Sequence, residues 1–503
     1  MVLSAVDKGE KITIYGDYDA DGVTATVVLL TVLSAMGAKV SYYIPSRFDE
    51  GYGLNKEALT KIRNTGTSLV ISVDCGCNAF EEVEHAKEIG LDILITDHHN
   101  CEEGVSDTVV IDPKQAGCPY PFKGLAGCGV AYKLALALRD AAGLPKSVTA
   151  EVLDMVAIGT IGDVVPLVDE NRTLVKYGLS IVNERRRPGL RGLLNAISMG
   201  DRLIGSEDVS FGIVPNINAA GRMAAAKLGV QLFVATDENE IRDLAERMVR
   251  CNVQRKTIQQ QILKQCLDLR REYIDNYLFP VIVAEGAHEG ITGIVAGRLR
   301  EVFNRPIAIV VPGEDGLCKG TSRSVDRVDL YELLSAQDYL FERFGGHKKA
   351  CGFTIREENV EELREALNET MVWMKEEDPH ILEPLNPYDI EAPIAALDVE
   401  LVKELELLGP FGSENEKPRF AIRGVSVDRV MFMGAEGQHM RVNVSQESGG
   451  QAECVLFSAT DEQRDLLIVG KKVDLVCELS VNEWQGRESL QLMIRGVYQH
   501  AER

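Results

Sequence analysis

The first part of the chain, to about residue 160, alternates short β-rich runs with helical stretches, and this alternation restricts the fold most. The stretches Val23–Met36 and Phe80–Ile89 have helical periodicity and are closed by Gly37 and Gly90, as helix C-termini often are. The β-α alternation predicts an α/β fold with a parallel, doubly wound sheet. The predicted strands are Ile12–Tyr15, Val40–Ile44, Leu69–Val73, Ile93–Thr96 and Val109–Ile111.

Three aspartates follow the first predicted strand. In the segment GDYDADG (residues 16–22), Asp17, Asp19 and Asp21 crowd a strand-to-helix turn. Carboxylates this close repel one another, so ionised side chains here require a cation. A calcium loop of the EF-hand type is not favoured, because its ligand pattern and terminal glutamate are absent and the following helix is apolar.

Two more predicted strands also end in metal-ligating residues. Leu69–Val73 runs into Asp74, and Ile93–Thr96 runs into Asp97-His98-His99. Ligands collect at the carboxyl ends of the strands of an open parallel sheet, so these side chains are expected to converge with the aspartates of the first loop. Asp163, which follows an apolar helical run, is a further candidate.

Each of these residues alone is more typical of a turn or a helix cap, but the ordered set predicts a metal centre. Carboxylate and imidazole ligands suit Mn²⁺ better than Mg²⁺, and the lack of thiolates in this set disfavours zinc. The number of acidic ligands would suffice for two ions about 4 Å apart, an arrangement that activates water and stabilises phosphoryl displacement.

The rest of the chain divides into three further parts. The pattern of residues 235–277 predicts one long amphipathic helix that bridges two domains, since no Gly or Pro interrupts residues 238–277. Residues 278–378 return to mixed α/β patterning. A polar, proline-bearing linker at 379–393 is followed by β-rich alternation up to about residue 500, and its five runs predict a small barrel.

Charge and cysteine usage limit the partners and the compartment. The net charge of −23 argues at first sight against nucleic acid, but residues 242–272 carry eight Lys/Arg against four Asp/Glu. That local excess fits either a solvated helix face or a basic surface. The 11 scattered cysteines indicate reduced thiols, and Cys75 and Cys77 lack two further zinc ligands at ordered spacing. No membrane-spanning or signal segment is evident, so a cytoplasmic protein is expected.

The motifs, taken in order, resemble the DHH phosphoesterase superfamily, named for the triplet that stands here as Asp97-His98-His99. Within it, nearly the whole chain resembles the RecJ family. A Rossmann or P-loop enzyme is not indicated, because the glycine motifs of both are absent. The matching motifs are DYDADG, VDCG (73–76), DHH, GDVVPL (162–167), IPSRFDEGYGL (44–54), NINAAGRM (216–223), HEGITGIVAGRL (288–299), FGGHKKACGF (344–353) and NEWQGRESLQL (482–492).

The resemblance implies an architecture and an activity. Residues 1–234 would form a DHH domain, 235–277 a connecting helix, 278–378 a DHH-associated substrate-binding domain and 390–500 an OB-fold. The implied activity is metal-dependent 5′-to-3′ hydrolysis of single-stranded DNA to mononucleotides, in DNA repair and recombination. A single-stranded-DNA-binding protein and a helicase are candidate partners, and no membrane is involved. A phosphodiesterase of short oligonucleotides and a non-catalytic replication factor are the alternatives.

The resemblance also implies roles for individual residues. Two Mn²⁺ ions, with Mg²⁺ as the alternative, would be held by Asp19, Asp21, Asp74, His98 and Asp163, with Asp74 as a bridge. His99 and Asp17 would take part in catalysis. The implied substrate-binding residues are Arg47, Arg222, His288, Ser322, Arg323, Gly345, Gly346, His347, Trp484 and Arg487, with Gly345–His347 forming a turn.

Three departures from the family pattern stand out. Asn216 occupies a position where arginine is frequent, and Ala287 one where tryptophan is common. They put one phosphate contact and one stacking surface in question. The helical segment that usually precedes the first strand is expected to be missing. None of the three affects the metal ligands.

Overall fold

The computed structural model describes residues 1–46, 50–51, 53–101, 107–223, 226–313, 316–434, 437–484 and 486–500. Arg47 and the side chain of Trp484 lie outside this description. The chain forms two compact units: residues 1–255 with 408–416, and residues 256–407 with 417–503. The chain therefore passes from the first unit to the second within a single long helix, α13 (Glu238–Asp268).

The first unit is built on a parallel sheet, and all five predicted strands are present. The strand order is β2-β1-β3-β4-β5, and each neighbouring pair is parallel. The chain continues from β1 to β2 on one side of β1 and then to β3 on its other side. The order in which strands are added to the sheet therefore reverses between β1 and β3, while the strands stay parallel. A crevice for ligands forms at the carboxyl end of such a switch point. The strands are β1 (Lys11–Gly16), β2 (Lys39–Tyr43), β3 (Thr67–Val73), β4 (Asp92–Thr96) and β5 (Val109–Ile111).

Helices cover this sheet, and three of them, α2, α5 and α7, pack on one another. α2 and α7 are almost entirely buried, which explains their nearly uniform apolar sequences. A short helix, α1, precedes β1. The helices are α1 (Val2–Asp7), α2 (Ala20–Ala35), α3 (Lys56–Asn64), α4 (Phe80–Glu88), α5 (Gly127–Ala142), α6 (Lys146–Ala150), α7 (Leu153–Gly162), α8 (Asp169–Glu184), α9 (Pro188–Ala196), α10 (Ser206–Asp208), a π-helical turn (Val209–Ile213), α11 (Val214–Arg222) and α12 (Lys227–Val234).

A segment from the C-terminal half of the chain, residues 408–416, belongs to the first unit. Its backbone oxygens accept hydrogen bonds from Leu167 N (2.7 Å, to Ser413), from Ser206 Oγ (2.8 Å, to Phe411) and from the Arg172 guanidinium (3.0 Å, to Leu408). These contacts hold the stretch of chain that follows α7.

The second unit begins within α13 and contains a mixed α/β domain, as predicted. Its sheet has the order β6-β7-β8-β10-β9, with β6 and β7 parallel and the other pairs antiparallel. The elements are α14 (Arg270–Tyr273), β6 (Val281–Val283), α15 (Glu289–Phe303), β7 (Ile307–Pro312), β8 (Leu317–Arg323), α16 (Leu330–Ser335), β9 (Phe341–His347), β10 (Ala350–Arg356) and α17 (Val360–Glu377), with 3₁₀ turns at Asp338–Leu340 and Glu357–Asn359.

The predicted C-terminal barrel is also present. Its strands run in the order β12-β13-β14-β16-β15, and pairing of β12 with β15 closes the barrel around a buried apolar core. No helix in the described ranges is long and apolar enough to cross a membrane. The elements are β11 (Ile390–Glu391), a 3₁₀ turn (Ile394–Ala396), α18 (Val399–Glu406), β12 (Arg419–Met433), β13 (His439–Gln446), β14 (Gln451–Leu456), α19 (Asp461–Leu466), β15 (Lys472–Trp484) and β16 (Arg487–Gln499).

Candidate metal centre

The loop between β1 and α2 is fixed by its own aspartates. Asp19 is the N-cap of α2, and its Oδ1 accepts hydrogen bonds from the amides of Asp21 (2.9 Å) and Gly22 (3.1 Å). Asp21 is buried in the first turn of α2, and its two oxygens accept from the amides of Gly127 (2.6 Å) and Cys128 (2.8 Å) at the start of α5. The loop is therefore held between two helix N-termini, where negative charge is favoured.

Asp74 follows β3 in a backbone conformation that side chains rarely adopt. Its φ is 62°, in the left-handed region, which costs a non-glycine residue free energy and is often found at functional sites. The side chain lies against the first turn of α5. A Cβ atom on Gly127 would be 2.6 Å from Asp74 Oδ1, so glycine at position 127 leaves the space that this carboxylate occupies.

His98 joins the carboxylates from three separate loops. Its Nε2 lies 3.1 Å from Asp74 Oδ1, 3.5 Å from Asp163 Oδ2 and 3.8 Å from Asp21 Oδ2. In each of three groups, ligand atoms lie within 4.8 Å of one another: Asp17–Asp19–Asp74, Asp21–His98–Asp163 and Asp74–His98–His99. The structure thus brings together all five residues expected to bind metal, and also Asp17 and His99. Asp74 belongs to two of these groups.

Burial and mutual repulsion make the carboxylates of this cluster difficult to ionise without a cation. Burial first, and then repulsion from Asp21, Asp19 and neighbouring carboxylates, raises the pKa of Asp74 well above its usual value. The same causes raise the pKa of Asp163 to about 8. A divalent cation removes this penalty by supplying the opposite charge.

The donor atoms fit such a cation. Neither ring nitrogen of the buried His98 makes a hydrogen bond within the described part of the chain. Burial also lowers the pKa of His98, which favours the neutral imidazole with a lone pair to donate to a metal. A set of carboxylate oxygens and one imidazole nitrogen matches the preference of Mn²⁺, with Mg²⁺ as the harder alternative.

Asp97 has a supporting role that the sequence analysis did not assign. Its Oδ1 accepts from the His98 amide (2.7 Å) and lies 2.8 Å from His99 Nδ1, while Oδ2 accepts from the Cys77 amide (2.9 Å). Burial raises the pKa of Asp97, but these hydrogen bonds, above all the one with His99, outweigh burial and lower it to about 2. Asp97 therefore orients both histidines. The sequence feature that could have identified Asp97 is its position directly before His98 in the Asp-His-His triplet.

Arg222 lies near the β1–α2 loop, whereas Asn216 is directed into the helix packing. Arg222 ends α11, which is fixed to that loop by the Ala20 amide donating to Asn218 Oδ1 (2.7 Å). The buried Asn216 donates to Gly212 O (2.6 Å) and accepts from Asn252 Nδ2 (3.0 Å). Asn216 therefore joins α11 to α13, and it does not replace the arginine as a phosphate contact.

The predicted substrate residues of the mixed α/β domain differ in accessibility. His288 is the N-cap residue of α15, and the Arg323 guanidinium lies beside Gly293, one turn further along that helix. The Ser322 side chain is buried and its hydroxyl donates to Cys351 O (3.2 Å). Ala287, the residue before His288, is buried.

Gly345, Gly346 and His347 do not form the expected turn. They are the exposed end of β9 and pair with Gly352, Cys351 and Ala350 of β10. The turn itself falls at the next two residues, Lys348 and Lys349. Gly346 has φ 146°, and a Cβ there would lie 2.3 Å from Ala350 O, so glycine is required by the close strand pairing.

In the barrel, Arg487 begins β16, is exposed and pairs in register with Trp484 at the end of β15. The tip of this hairpin therefore presents a cationic side chain on the barrel.

A parallel sheet with a carboxylate–imidazole cluster at its switch point is the arrangement expected of a metal-dependent phosphoesterase of the DHH type. Three family models match the chain in succession: "DHH family, N-terminal domain" at residues 11–160, "DHHA1 domain" at 275–372 and "RecJ OB domain" at 388–496. They correspond to the sheet of the first unit, the mixed α/β domain and the barrel.

Curated relatives narrow this class to a family. The chain is 39% identical to the single-stranded-DNA-specific exonuclease RecJ of Bacillus subtilis, over 98% of the chain and 62% of the relative. It is 32% identical to the RecJ of Salmonella typhimurium, over 99% of the chain and 89% of the relative. The chain belongs to the RecJ family of single-stranded-DNA-specific exonucleases, as its motifs predicted. It thus spans less than two thirds of the length of the Bacillus protein.

A solved structure agrees with this assignment. The crystal structure of RecJ from Thermus thermophilus in complex with Mn²⁺ is 29% identical, covers 100% of this chain and 71% of its own, and superposes with a TM-score of 0.83. Together with the acidic clusters, this structure supports divalent-metal binding by the family fold.

Proposed function

We propose that this chain is a two-metal exonuclease that hydrolyses single-stranded DNA from its 5′ end. The convergence of Asp19, Asp21, Asp74, His98 and Asp163 carries the proposal, because this donor set lies at one edge of the sheet and matches Mn²⁺. Asp17, Asp19 and Asp74 would hold one ion and Asp21, His98 and Asp163 the other, with Asp74 between them. When bound, the cations supply Lewis-acid activation of water and stabilise charge on the phosphoryl group.

The protein's own groups would orient the phosphate beside this centre. Burial lowers the pKa of His99, but the hydrogen bond and ion pair with Asp97 outweigh burial and raise it, which favours the protonated ring. The His99 ring remains partly exposed beside the carboxylate cluster. When protonated, this ring would attract a phosphodiester and could return a proton to the leaving oxygen.

Cationic side chains and backbone amides elsewhere would bind the rest of the strand. In the first unit these are Arg222 and Arg47. In the mixed α/β domain, the N-terminus of α15 with His288 and Arg323 offers amide donors and a guanidinium, a combination that suits phosphate. The exposed end of β9 (Gly345–His347) and, on the barrel, Trp484 and Arg487 are further groups proposed to contact the strand.

The experiment is digestion of a long single strand labelled at either its 5′ or its 3′ end, with and without Mn²⁺. We expect immediate release of the 5′ label as a mononucleotide, late release of the 3′ label, and no release without a divalent cation. Asp74→Asn should be inactive. Asp92→Asn is the matched control, since Asp92 is exposed at the opposite, amino end of β4.

Three outcomes would contradict the proposal. Early release of the 3′ label would reverse the polarity. Cleavage of dinucleotides but not of the long strand would favour a short-oligonucleotide phosphodiesterase. Binding of the strand without cleavage, in protein that contains no Mn²⁺ after dialysis against it, would favour a non-catalytic factor.

A further inference from the structure

A second set of metal-ligating side chains lies at the same edge of the sheet, outside the carboxylate–imidazole cluster. Cys77 follows β3, Cys101 follows β4, and Asp112 follows β5. One ligand atom from each lies within 4.8 Å of the other two. Three neighbouring parallel strands therefore deliver two thiols and one carboxylate to one point. The sequence did not indicate this group, because the CxC motif pairs Cys77 with Cys75, and Cys75 is not part of the group.

The spacing of these atoms suits tetrahedral coordination. Cys101 Sγ lies 3.3 Å from Asp112 Oδ2. Around a tetrahedral ion with zinc–sulfur and zinc–oxygen bonds of ordinary length, the sulfur–oxygen separation is about 3.5 Å. The Asp112 carboxylate is also fixed by the Lys114 amide, which donates to Oδ1 (2.7 Å).

Burial and access also fit a cation. Cys77 and Asp112 are buried, whereas Cys101 is partly exposed and leaves a route from solvent. Both sulfurs lie 3.9 Å from the carbonyl oxygen of His99, which is a further hard donor at the rim of the site. Three protein ligands leave a fourth position open for water.

We propose that Cys77, Cys101 and Asp112 bind a thiophilic divalent cation of the zinc class, separate from the Mn²⁺ centre. Two soft sulfurs select such an ion over Mn²⁺ or Mg²⁺, which prefer oxygen donors. The cation would tie the β3–α4 loop to the loop after β4. The Cys77 amide donates to Asp97 Oδ2 (2.9 Å), so the bound cation would also stiffen the segment that carries His98 and His99.

The test uses Co²⁺ as a spectroscopic probe on the full chain, kept reduced by a phosphine and saturated with Mn²⁺. Thiolate ligation to Co²⁺ gives a near-ultraviolet charge-transfer band, which carboxylate and imidazole ligands at the Mn²⁺ centre do not produce. We expect the band to saturate at one equivalent of Co²⁺ and to disappear when Zn²⁺ displaces the probe. Neither readout depends on nuclease activity.

Variants assign the ligands. Cys77→Ser and Cys101→Ser should each lose most of the band, and the partly exposed position of Cys101 makes its replacement compatible with folding, to be checked by circular dichroism. Asp112→Asn should keep the band at saturation but raise the Kd by at least about tenfold, the smallest usual cost of losing an outer-shell partner. Cys118→Ser is the matched control, a partly exposed cysteine in the same unit, and should bind Co²⁺ normally.

Three results would overturn the site. One is the absence of a charge-transfer band in the unmodified, reduced chain. Another is a band of unchanged intensity in Cys101→Ser, since the sulfur ligands would then lie elsewhere. The third is a Cys77–Cys101 disulfide in chain purified without reductant, together with no Co²⁺ binding after reduction, which would make the pair an oxidation-sensitive contact.

Discussion

At the scale of single residues, Asp74 combines a place in the metal cluster with an unusual backbone conformation. It lies within reach of His98, belongs to two of the three ligand groups and occupies a left-handed backbone conformation. Asparagine tolerates that conformation at least as well as aspartate does. The substitution Asp74→Asn therefore removes charge without adding backbone strain.

Asp74→Asn should have opposite effects on metal binding and on stability. We expect the affinity for Mn²⁺ to fall by about 100-fold or more, beyond the usual effect of an outer-shell substitution. The metal-free chain should unfold at a higher urea concentration, because one source of repulsion among buried carboxylates is gone. Calorimetric Mn²⁺ titration and urea unfolding measure the two effects. Unchanged Mn²⁺ affinity would rule Asp74 out as a ligand, and Asp92→Asn should alter neither quantity.

Asp97 is predicted to act through the histidines rather than through the metal. In Asp97→Asn the amide cannot hold His99 as an imidazolium, so the pKa of His99 should fall and kcat should drop by about 10- to 100-fold. Mn²⁺ affinity should change much less than in Asp74→Asn. Histidine resonances followed by NMR across the pH range report the pKa. A loss of kcat with no movement of that pKa would show that Asp97 acts only by supporting the fold.

At the scale of elements, the start of α5 touches the cluster directly. Its first two amides hold Asp21, and its first residue, Gly127, gives Asp74 its space. Asp21 and these amides are more than 100 residues apart in sequence. The N-terminus of α5 therefore positions carboxylates that are distant from it in the sequence.

Gly127→Ala should disable the metal centre, whereas Gly129→Ala on the same helix should not. The new methyl group at position 127 would lie 2.6 Å from Asp74 Oδ1, but at position 129 its nearest neighbour is a Leu125 methyl group 3.3 Å away, which can yield. We expect Mn²⁺ affinity to fall at least tenfold in Gly127→Ala, by analogy with the loss of an outer-shell contact. Equal Mn²⁺ affinities in the two variants would show that Asp74 is free to move.

The elements also show what the sequence could reveal. The five strands of the parallel sheet were predictable because buried β-branched runs alternate with glycine-closed helices, and the aspartates at their ends were predictable from the same pattern. The Gly345–His347 segment was misassigned to a turn because glycines that allow close strand pairing resemble turn glycines in sequence. Three other features depend on contacts between separate segments, which local sequence patterns do not encode. They are the burial of the Ser322 side chain, the hydrogen bonds of Asp97 with the histidines and the proximity of Cys77 to Cys101.

At the scale of the whole molecule, the carboxylate cluster couples folding to metal and to pH. A carboxyl group whose pKa is higher in the folded state than in the unfolded chain binds its proton more tightly when folded. For Asp163 the pKa rises from 3.8 to about 8. Its contribution to stability is therefore complete below pH 3.8 and is lost as the pH rises to about 8.

The metal-free chain should consequently lose stability across this window, and Mn²⁺ should reverse the trend. Each proton released on unfolding changes the unfolding free energy by up to about 1.4 kcal/mol per pH unit, so urea midpoints should fall between about pH 5 and pH 8. With saturating Mn²⁺ the midpoint should instead rise with pH, because deprotonated carboxylates bind the cation and binding stabilises only the folded state. Asp163→Asn should flatten the metal-free slope, and Asp92→Asn should preserve it. A metal-free midpoint that rises with pH would mean that these carboxylates are already ionised in the folded chain, and that no cation is needed to hold them together.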